Sequence, residues 1–213
     1  MPRPPRPDKP DIHGPAGRLE ALLESPAELT PSGVALVCHP HPLQGGTLNN
    51  KVAHTLARAF LERGMRTLRF NFRGVGASEG EFDDARGEVD DAHACIEWLR
   101  TNFAGEPLWL GGFSFGAAVA IRAAVASRPA GLVSVAPAVY RFVDSLEVQP
   151  ACPWLIVHGD ADEVVPVSET VDWVNSLEPG PELSVFPGAG HFFHGRLVEL
   201  RATVVDFVAR HAG

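Results

Sequence analysis

The serine at position 114 lies in a segment that could make its hydroxyl a nucleophile. Residues 112–116 read Gly-Phe-Ser-Phe-Gly, directly after a predicted strand (108–113) and before a predicted helix (117–126). A sharp strand-to-helix turn holds a serine hydroxyl above a sheet, and glycines two residues to either side relieve the crowding of that turn. The start of the helix also favours negative charge. The segment therefore predicts acyl-transfer chemistry at Ser114, the alternative being an ordinary tight turn.

A serine hydroxyl becomes an effective nucleophile when a general base removes its proton. His191 is the candidate base, because it follows a loop of small residues, Gly-Ala-Gly at 188–190, after the last predicted strand. Such a loop can reach over the edge of a sheet. His194, three residues later, is the alternative base, and a hydrogen-bonded loop histidine without a catalytic role is the competing interpretation.

A carboxylate that orients the histidine is expected after the next-to-last predicted strand. Residues 159–166 read Gly-Asp-Ala-Asp-Glu-Val-Val-Pro and offer three carboxylates there. Asp160 is expected to cap the backbone of its own turn, which favours Asp162 as the partner of the histidine. The chain order is then Ser114, Asp162, His191, which differs from the orders of chymotrypsin and subtilisin.

Buried strands that alternate with amphipathic helices must hold these groups in place. The predicted strands cover residues 34–38, 65–72, 108–113, 132–135, 154–158 and 183–186. The predicted helices cover about 50–63, 89–103, 117–126, 168–177 and 197–211. This alternation indicates an α/β fold with a mostly parallel central sheet flanked by helices on both faces. Residues 18–23 and 27–29 are candidates for antiparallel edge strands.

Charge and hydropathy exclude two classes of partner. The chain of 213 residues carries 18 basic and 26 acidic side chains, a formal net charge of −8. An acidic surface repels phosphate backbones, which argues against a nucleic-acid partner. No apolar run approaches the ~20 residues of a membrane span, so no membrane association is expected.

The length fits one domain, which we expect to span residues 16–213 after a flexible, proline-rich leader at 1–15. The leader has basic residues but no apolar segment behind them, so it does not resemble a secretory signal. The three cysteines, Cys38, Cys95 and Cys152, are scattered and odd in number. Reduced thiols and a cytoplasmic location are therefore expected.

Four motifs together are similar to those of one family. They are the turn at Ser114, Gly159-x-x-Asp162 followed by Val165-Pro166, Gly190-His191, and the loop at 73–78 (Arg-Gly-Val-Gly-Ala-Ser). They resemble the motifs of α/β-hydrolases, and the resemblance extends over residues 34–211. The segment at 38–46 looks like a small, lid-less bacterial branch described as predicted hydrolases. The resemblance implies an α/β-hydrolase fold with no separate lid domain.

The resemblance also implies where a developing oxyanion binds. The family's first backbone donor lies two residues after the first histidine of the loop at 38–46, which corresponds to the amide of His41. The second is the amide of Phe115, next to the nucleophile. Pro40 replaces the glycine that usually follows the first histidine, and neither Pro40 nor Pro42 has an N–H to donate.

These inferences predict a serine hydrolase of the carboxylesterase type that cleaves small carboxylic esters, with thioesters and amides as further substrates. The partner is then a small ester-like molecule, and neither a metal nor an organic cofactor is required. Two alternatives remain open. One is a metal-dependent hydrolase that uses His39 and His41 as ligands, and the other is a non-catalytic binding or scaffold protein on the same fold.

The connection at 136–153 is too short for a lid domain, and its apolar residues, Leu146 among them, predict one short helix or flap. With Leu43 and Phe192, its residues Tyr140 and Phe142 are expected to wall a shallow apolar substrate pocket. The competing interpretation is that Tyr140 and Phe142 pack under the loop.

Overall fold

The computed structural model describes residues 7–26, 31–143 and 148–212. The described strands are β1 (Ile12–Gly14), β2 (Gly17–Leu19), β3 (Ala21–Glu24), β4 (Gly33–Cys38), β5 (Met65–Phe70), β6 (Leu108–Phe113), β7 (Gly131–Val135), β8 (Trp154–Gly159) and β9 (Glu182–Phe186). The described α-helices are α1 (Lys51–Glu62), α2 (Arg86–Asn102), α3 (Phe115–Ser127), α4 (Val139–Phe142), α5 (Val167–Asn175) and α6 (Leu197–His211). None of these helices is long and apolar enough to cross a membrane.

Seven strands form one sheet in the order β3-β5-β4-β6-β7-β8-β9. β3 pairs with β5 in the antiparallel direction, and the other neighbours pair in parallel. β1 and β2 form a separate antiparallel hairpin. The predicted mostly parallel sheet is therefore confirmed, with the expected antiparallel strand at its edge.

The two faces of the sheet carry separate apolar clusters, as the strand periodicity requires. Within β4, Val34, Leu36 and Cys38 join the cluster under α2 and α3, whereas Ala35 and Val37 join the cluster under α1 and α6. Because both faces are covered, the central strands are buried along their whole length. This arrangement holds the carboxyl ends of the parallel strands at one rigid edge.

The element boundaries differ from the predicted ones by small amounts, for local reasons. The last helix has the predicted bounds. α1 begins one residue later because the Asn50 side chain accepts hydrogen bonds from the amides of Val52 and Ala53. β5 ends at Phe70 and not at Phe72, whose amide donates to the ring of His39 instead of to a strand. The predicted edge strand at 18–23 is divided between β2 and β3, and 27–29 lies outside the described residues.

The packed part of the chain begins earlier than residue 16. Asp8 and Leu23 exchange two backbone hydrogen bonds of 2.9 Å. Ile12 in β1 is buried against the core. The expected leader at 1–15 is therefore too long, because its second half pairs with the edge of the domain.

A buried ion pair fixes the loop that follows β5. The Arg73 guanidinium donates to both carboxylate oxygens of Asp91 at 3.0 and 2.7 Å, and the Arg73 amide adds a third bond of 3.0 Å. The Asp91 side chain is fully buried. Asp91 lies on α2, so the pair holds this helix against the loop at 73–78.

We predict that Arg73→Leu lowers the free energy of unfolding by about 3–5 kcal/mol, because the change leaves the Asp91 carboxylate buried without its partner. The matched control is Arg86→Leu, which removes an exposed ion pair with Asp83 and is expected to cost less than about 1 kcal/mol. Urea unfolding of both variants measures the difference. Equal losses in the two variants would contradict a structural role for the buried pair.

Candidate active site

Ser114 lies at the junction of β6 and α3 in a strained backbone conformation. Its φ is 56° and its ψ is −119°, values that side-chain-bearing residues adopt at a cost of about 1–3 kcal/mol. A Cβ on Gly112 would overlap the carbonyl oxygen of Gly116, and one on Gly116 would overlap that of His39. Both glycines are therefore required by close backbone approach, as the sequence predicted for this turn.

Ser114, His191 and Asp162 form a continuous chain of hydrogen bonds. His191 Nε2 lies 3.1 Å from Ser114 Oγ, and His191 Nδ1 lies 2.7 Å from Asp162 Oδ2. Ser114 is 8% exposed and His191 is 3% exposed. The serine hydroxyl is therefore nearly withdrawn from solvent and lies within hydrogen-bond reach of the predicted base.

The ionisation of Asp162 determines which ring nitrogen of His191 carries the proton. Burial alone disfavours the carboxylate, but hydrogen bonds from His158, His191 and two backbone amides outweigh burial and hold the pKa of Asp162 well below its usual range. An ionised carboxylate can only accept, so Nδ1 of His191 must donate. In the neutral ring, Nε2 then has a free lone pair that can accept the proton of the Ser114 hydroxyl, as a general base requires.

The loops that carry the acid and the base are joined by several hydrogen bonds. Asp162 Oδ1 accepts from the amides of Val164 and Val165, both at 2.8 Å, which closes its own loop. Asp160 Oδ1 accepts from the amide of Gly188 at 2.6 Å. Asp160 therefore binds the loop that leads to the histidine and does not contact the histidine ring, and the structure brings Asp162 rather than Asp160 to His191.

Aromatic side chains hold the imidazole of His191 in place. The Phe113 ring lies 4.8 Å from it, and the Phe192 ring meets it edge-on at 5.1 Å. The Glu163 carboxylate accepts from the backbone amide of His191 at 3.3 Å. His194, the alternative base, is exposed, and its ring stacks beside Phe192.

A buried histidine shapes the loop expected to bind the oxyanion. His39 Nδ1 donates to the carbonyl of Pro40 at 2.6 Å, and His39 Nε2 accepts from the amide of Phe72 at 3.1 Å. Burial lowers the pKa of His39 to about 4, against the opposing effect of its bond to Pro40. Both ring nitrogens are thus engaged, and binding of a metal by His39 and His41 would require breaking one of these bonds.

The two expected oxyanion donors are the backbone amides of His41 and Phe115. Among the described residues, the amide of His41 donates to no backbone or side-chain acceptor. Phe115 is the first residue of α3, where an amide has no partner within the helix. The rings of His41 and Phe115 are 5.0 Å apart, which keeps the two segments in contact.

A cavity of about 480 Å³ opens beside Ser114. Its lining residues are His41, Gln44, Ser114, Phe115, Ala138, Tyr140, Arg141, Phe142, Val164, Val165, Pro166 and Glu169. The helix α4 forms one wall, in agreement with the single short helix expected at 136–153; Leu146 lies outside the described residues.

Tyr140 and Phe142 line the cavity, whereas Leu43 and Phe192 do not. Leu43 lies in the 3₁₀ turn at 42–44, is 73% exposed, and borders a separate hollow near Arg73. Phe192 packs edge-on against the His191 ring and is 42% exposed. These two residues therefore do not line the cavity beside Ser114, because sequence proximity to a site residue does not determine on which side of it a neighbour lies, and a contact of theirs with substrate stays a prediction.

Sequence reasoning missed the polar part of the cavity wall and one buried histidine. Gln44, Arg141 and Glu169 all face the cavity. His158, at the end of β8, lies 3.3 Å from Asp162 Oδ2. Its spacing of four residues before Asp162 was the available signal, but in a chain of nine histidines that spacing does not stand out.

We predict that His39 makes the stability of this loop depend on pH. Its folded-state pKa is depressed below that of the unfolded chain, so stability is present at neutral pH and is lost as the pH falls through about 6.5 toward 4. Between about pH 7.5 and pH 5 the loss is about 2 kcal/mol. His39→Gln should remove this contribution, whereas His13→Gln, at an exposed site, should leave the pH dependence unchanged. Urea unfolding at the two pH values measures both, and a native pH dependence in His39→Gln would refute the assignment.

Two families match this chain over overlapping segments. Residues 43–148 match the family described as serine aminopeptidase, S33, and residues 135–213 match the prolyl oligopeptidase family. The chain is also 35% identical over 209 residues to the uncharacterized protein RP471 of Rickettsia prowazekii, a match that covers 92% of this chain and 87% of that protein.

Two solved structures share both fold and sequence with it. XC6422 from Xanthomonas campestris, an α/β serine hydrolase without a lid, has 41% identity and a TM-score of 0.92, with 98% of this chain and 96% of that chain covered. An α/β serine hydrolase homologue from Coxiella burnetii has 46% identity and a TM-score of 0.90, with 96% and 99% covered. With the strained serine turn at the carboxyl edge of its parallel sheet, this chain belongs to the α/β-hydrolase superfamily, among its lid-less serine hydrolases.

Proposed function

We propose that this protein hydrolyses small carboxylic esters through an acyl-enzyme formed on Ser114. The observation that carries the proposal is the hydrogen-bond chain from Ser114 through His191 to Asp162. The burial of all three side chains and the depressed pKa of Asp162 support nucleophilic catalysis with His191 as the base. A strained, nearly buried serine hydrogen-bonded to a histidine favours catalysis over the alternative of a non-catalytic scaffold.

The reaction follows from these positions. His191 Nε2 removes the Ser114 proton as the hydroxyl oxygen attacks the ester carbonyl, and Asp162 stabilises the imidazolium that forms. The oxyanion accepts hydrogen bonds from the amides of His41 and Phe115, and such donors are worth roughly 3 kcal/mol each. His191 then protonates the leaving alcohol. Water, activated by the same histidine, hydrolyses the acyl-enzyme and restores Ser114.

Amide hydrolysis is the second candidate, because both matching families are described as peptidases. Esters and amides share the same tetrahedral intermediate, and an amine needs fuller protonation before it leaves. Parallel assays with p-nitrophenyl acetate and aminoacyl p-nitroanilides separate the two. Faster cleavage of the anilides would assign the protein to the peptidases.

The cytoplasmic location expected from the cysteines stays a prediction.

We predict that Ser114→Ala abolishes both ester hydrolysis and labelling by a fluorophosphonate probe, which reacts with activated serines. His191→Ala should lose a similar factor, because nucleophile and base act as a unit. The fold should persist, since Ser114→Ala removes one hydroxyl and His191 lies on a loop. Full esterase activity in folded Ser114→Ala would refute the proposal.

The two aspartates provide the matched control for this experiment. Asp162→Asn keeps the shape of the side chain but removes its charge, and activity should fall by up to about 10⁴-fold. Asp160→Asn alters the anchor of the Gly188 amide and should retain most of the activity. Probe labelling followed by mass spectrometry compares the variants, and the reverse ranking would move the acid to Asp160.

We predict a preference for short acyl chains, because the walls of the cavity are partly open at Tyr140 and Val164, each 49% exposed. Each methylene that becomes buried contributes about 0.8 kcal/mol, or about fourfold in kcat/KM, until the chain reaches solvent. The series of p-nitrophenyl esters from acetate to palmitate measures this. An optimum at long chains would contradict a shallow site.

Substitutions in the cavity wall test the same dependence of kcat/KM on acyl-chain length. Tyr140→Ala should reduce the gain per methylene, since it removes apolar surface from the cavity. Leu43→Ala is the control, because Leu43 is exposed and does not line this cavity. Its chain-length profile should match that of the native protein.

A further inference from the structure

His158 is a fully buried histidine that directly contacts the candidate acid. It lies in β8, the strand that leads to the loop of Asp162, and its side chain has no exposed surface. His158 Nε2 lies 2.9 Å from the carbonyl oxygen of Val165 and 3.3 Å from Asp162 Oδ2. One ring nitrogen thus contacts two points of the loop, one near its start and one near its end.

The Val165 carbonyl fixes the protonation of this ring. A carbonyl oxygen can only accept, so the Nε2 of His158 carries the proton and donates it. Its second, longer contact is with Asp162 Oδ2, the same oxygen that accepts from His191. His158 Nδ1 is buried and has no hydrogen-bond partner among the described residues.

The carboxylate of Asp162 is therefore held from two directions. Oδ1 closes the loop by accepting the amides of Val164 and Val165. Oδ2 faces His191 on one side and His158 on the other. The His158 ring is the contact of Asp162 that comes from the sheet, whereas the other partners of the carboxylate lie on loops.

We propose that His158 is a positioning residue for catalysis, which fixes Asp162 Oδ2 at the place where it orients the His191 ring. This inference rests on the proposed hydrolase function. β8 is buried along its whole length, and a donor on a strand anchors a side chain more precisely than a donor on a loop. A misplacement of about 1 Å in a catalytic group can cost about 10²-fold in rate.

The test compares the kcat of three variants on a short p-nitrophenyl ester. Glutamine places an N–H donor about as far from the backbone as histidine Nε2, whereas asparagine places it a bond shorter and leucine has none. His158→Asn and His158→Leu should lose about 10- to 100-fold in kcat. His158→Gln should stay within about fivefold of the native protein. KM should change little, since His158 does not line the cavity.

A matched control separates positioning from general stability. Ser134, buried in β7, accepts a hydrogen bond from the Trp154 indole at 3.0 Å, and among the described residues its hydroxyl makes no hydrogen bond to Ser114, Asp162 or His191. Ser134→Ala removes a buried polar contact that is not part of the hydrogen-bond chain of the site and should keep the native kcat. Circular dichroism confirms the folded fraction of each variant, and if His158→Leu does not fold, the Gln and Asn pair carries the test.

A spectroscopic signature reports the position of Asp162 without turnover. The proton that His191 Nδ1 shares with Asp162 gives a far-downfield proton resonance, assigned by its loss in Asp162→Asn. In His158→Asn this resonance should move upfield or broaden, and in His158→Gln it should persist. A folded His158→Asn with native kcat and an unchanged resonance would overturn the inference. Failure of the proposed function itself would show in the native protein, as absence of both hydrolysis and probe labelling.

Discussion

The hydrogen bond between His191 and Asp162 is the constraint on which the rest of the site depends. It joins two loops that follow β8 and β9, neighbouring strands whose carboxyl ends lie side by side. Because it requires an ionised, buried carboxylate, the loop must supply enough donors to offset the loss of hydration. The amides of Val164 and Val165 and the two histidines do so. Without these donors the carboxylate would take up a proton, and His191 would lose the partner that fixes its tautomer.

The parallel sheet makes this meeting of loops possible. Its strands end at one edge, so side chains far apart in sequence come together without a long connection. Ser114 follows β6, Asp162 follows β8 and His191 follows β9. The strain at Ser114 persists because the strand behind it is buried on both faces and the helix after it packs closely against β4. Tertiary packing thus holds a backbone conformation that a short peptide would not keep.

The loop after β4 contains two prolines and is held in place by the side chain of a buried histidine. Prolines at positions 40 and 42 have no N–H to donate, and the amide of His41 between them has no hydrogen-bond acceptor among the described residues. The loop is then held by a side chain, since His39 binds the Pro40 carbonyl and the Phe72 amide at once. The imidazole of His39 is buried, and its low pKa keeps it neutral. The residue that suggests a metal ligand in the sequence therefore acts as a structural crosslink in the fold.

The sequence by itself determined the alternation of strands and helices, and it predicted that Ser114, His191 and Asp162 come together, as they do in the structure. These follow from local rules, because periodicity reports burial and a Gly-Phe-Ser-Phe-Gly turn has few conformations available to it. The predicted start of α1 at Asn50 differs by one residue from the observed start, because capping depends on side-chain geometry. The sequence placed Leu43 and Phe192 in the pocket and left out Arg141, Glu169 and His158. Only the tertiary structure decided these, because the direction of a loop side chain and the neighbours of a buried one depend on how distant segments pack, which spacing along the chain does not encode.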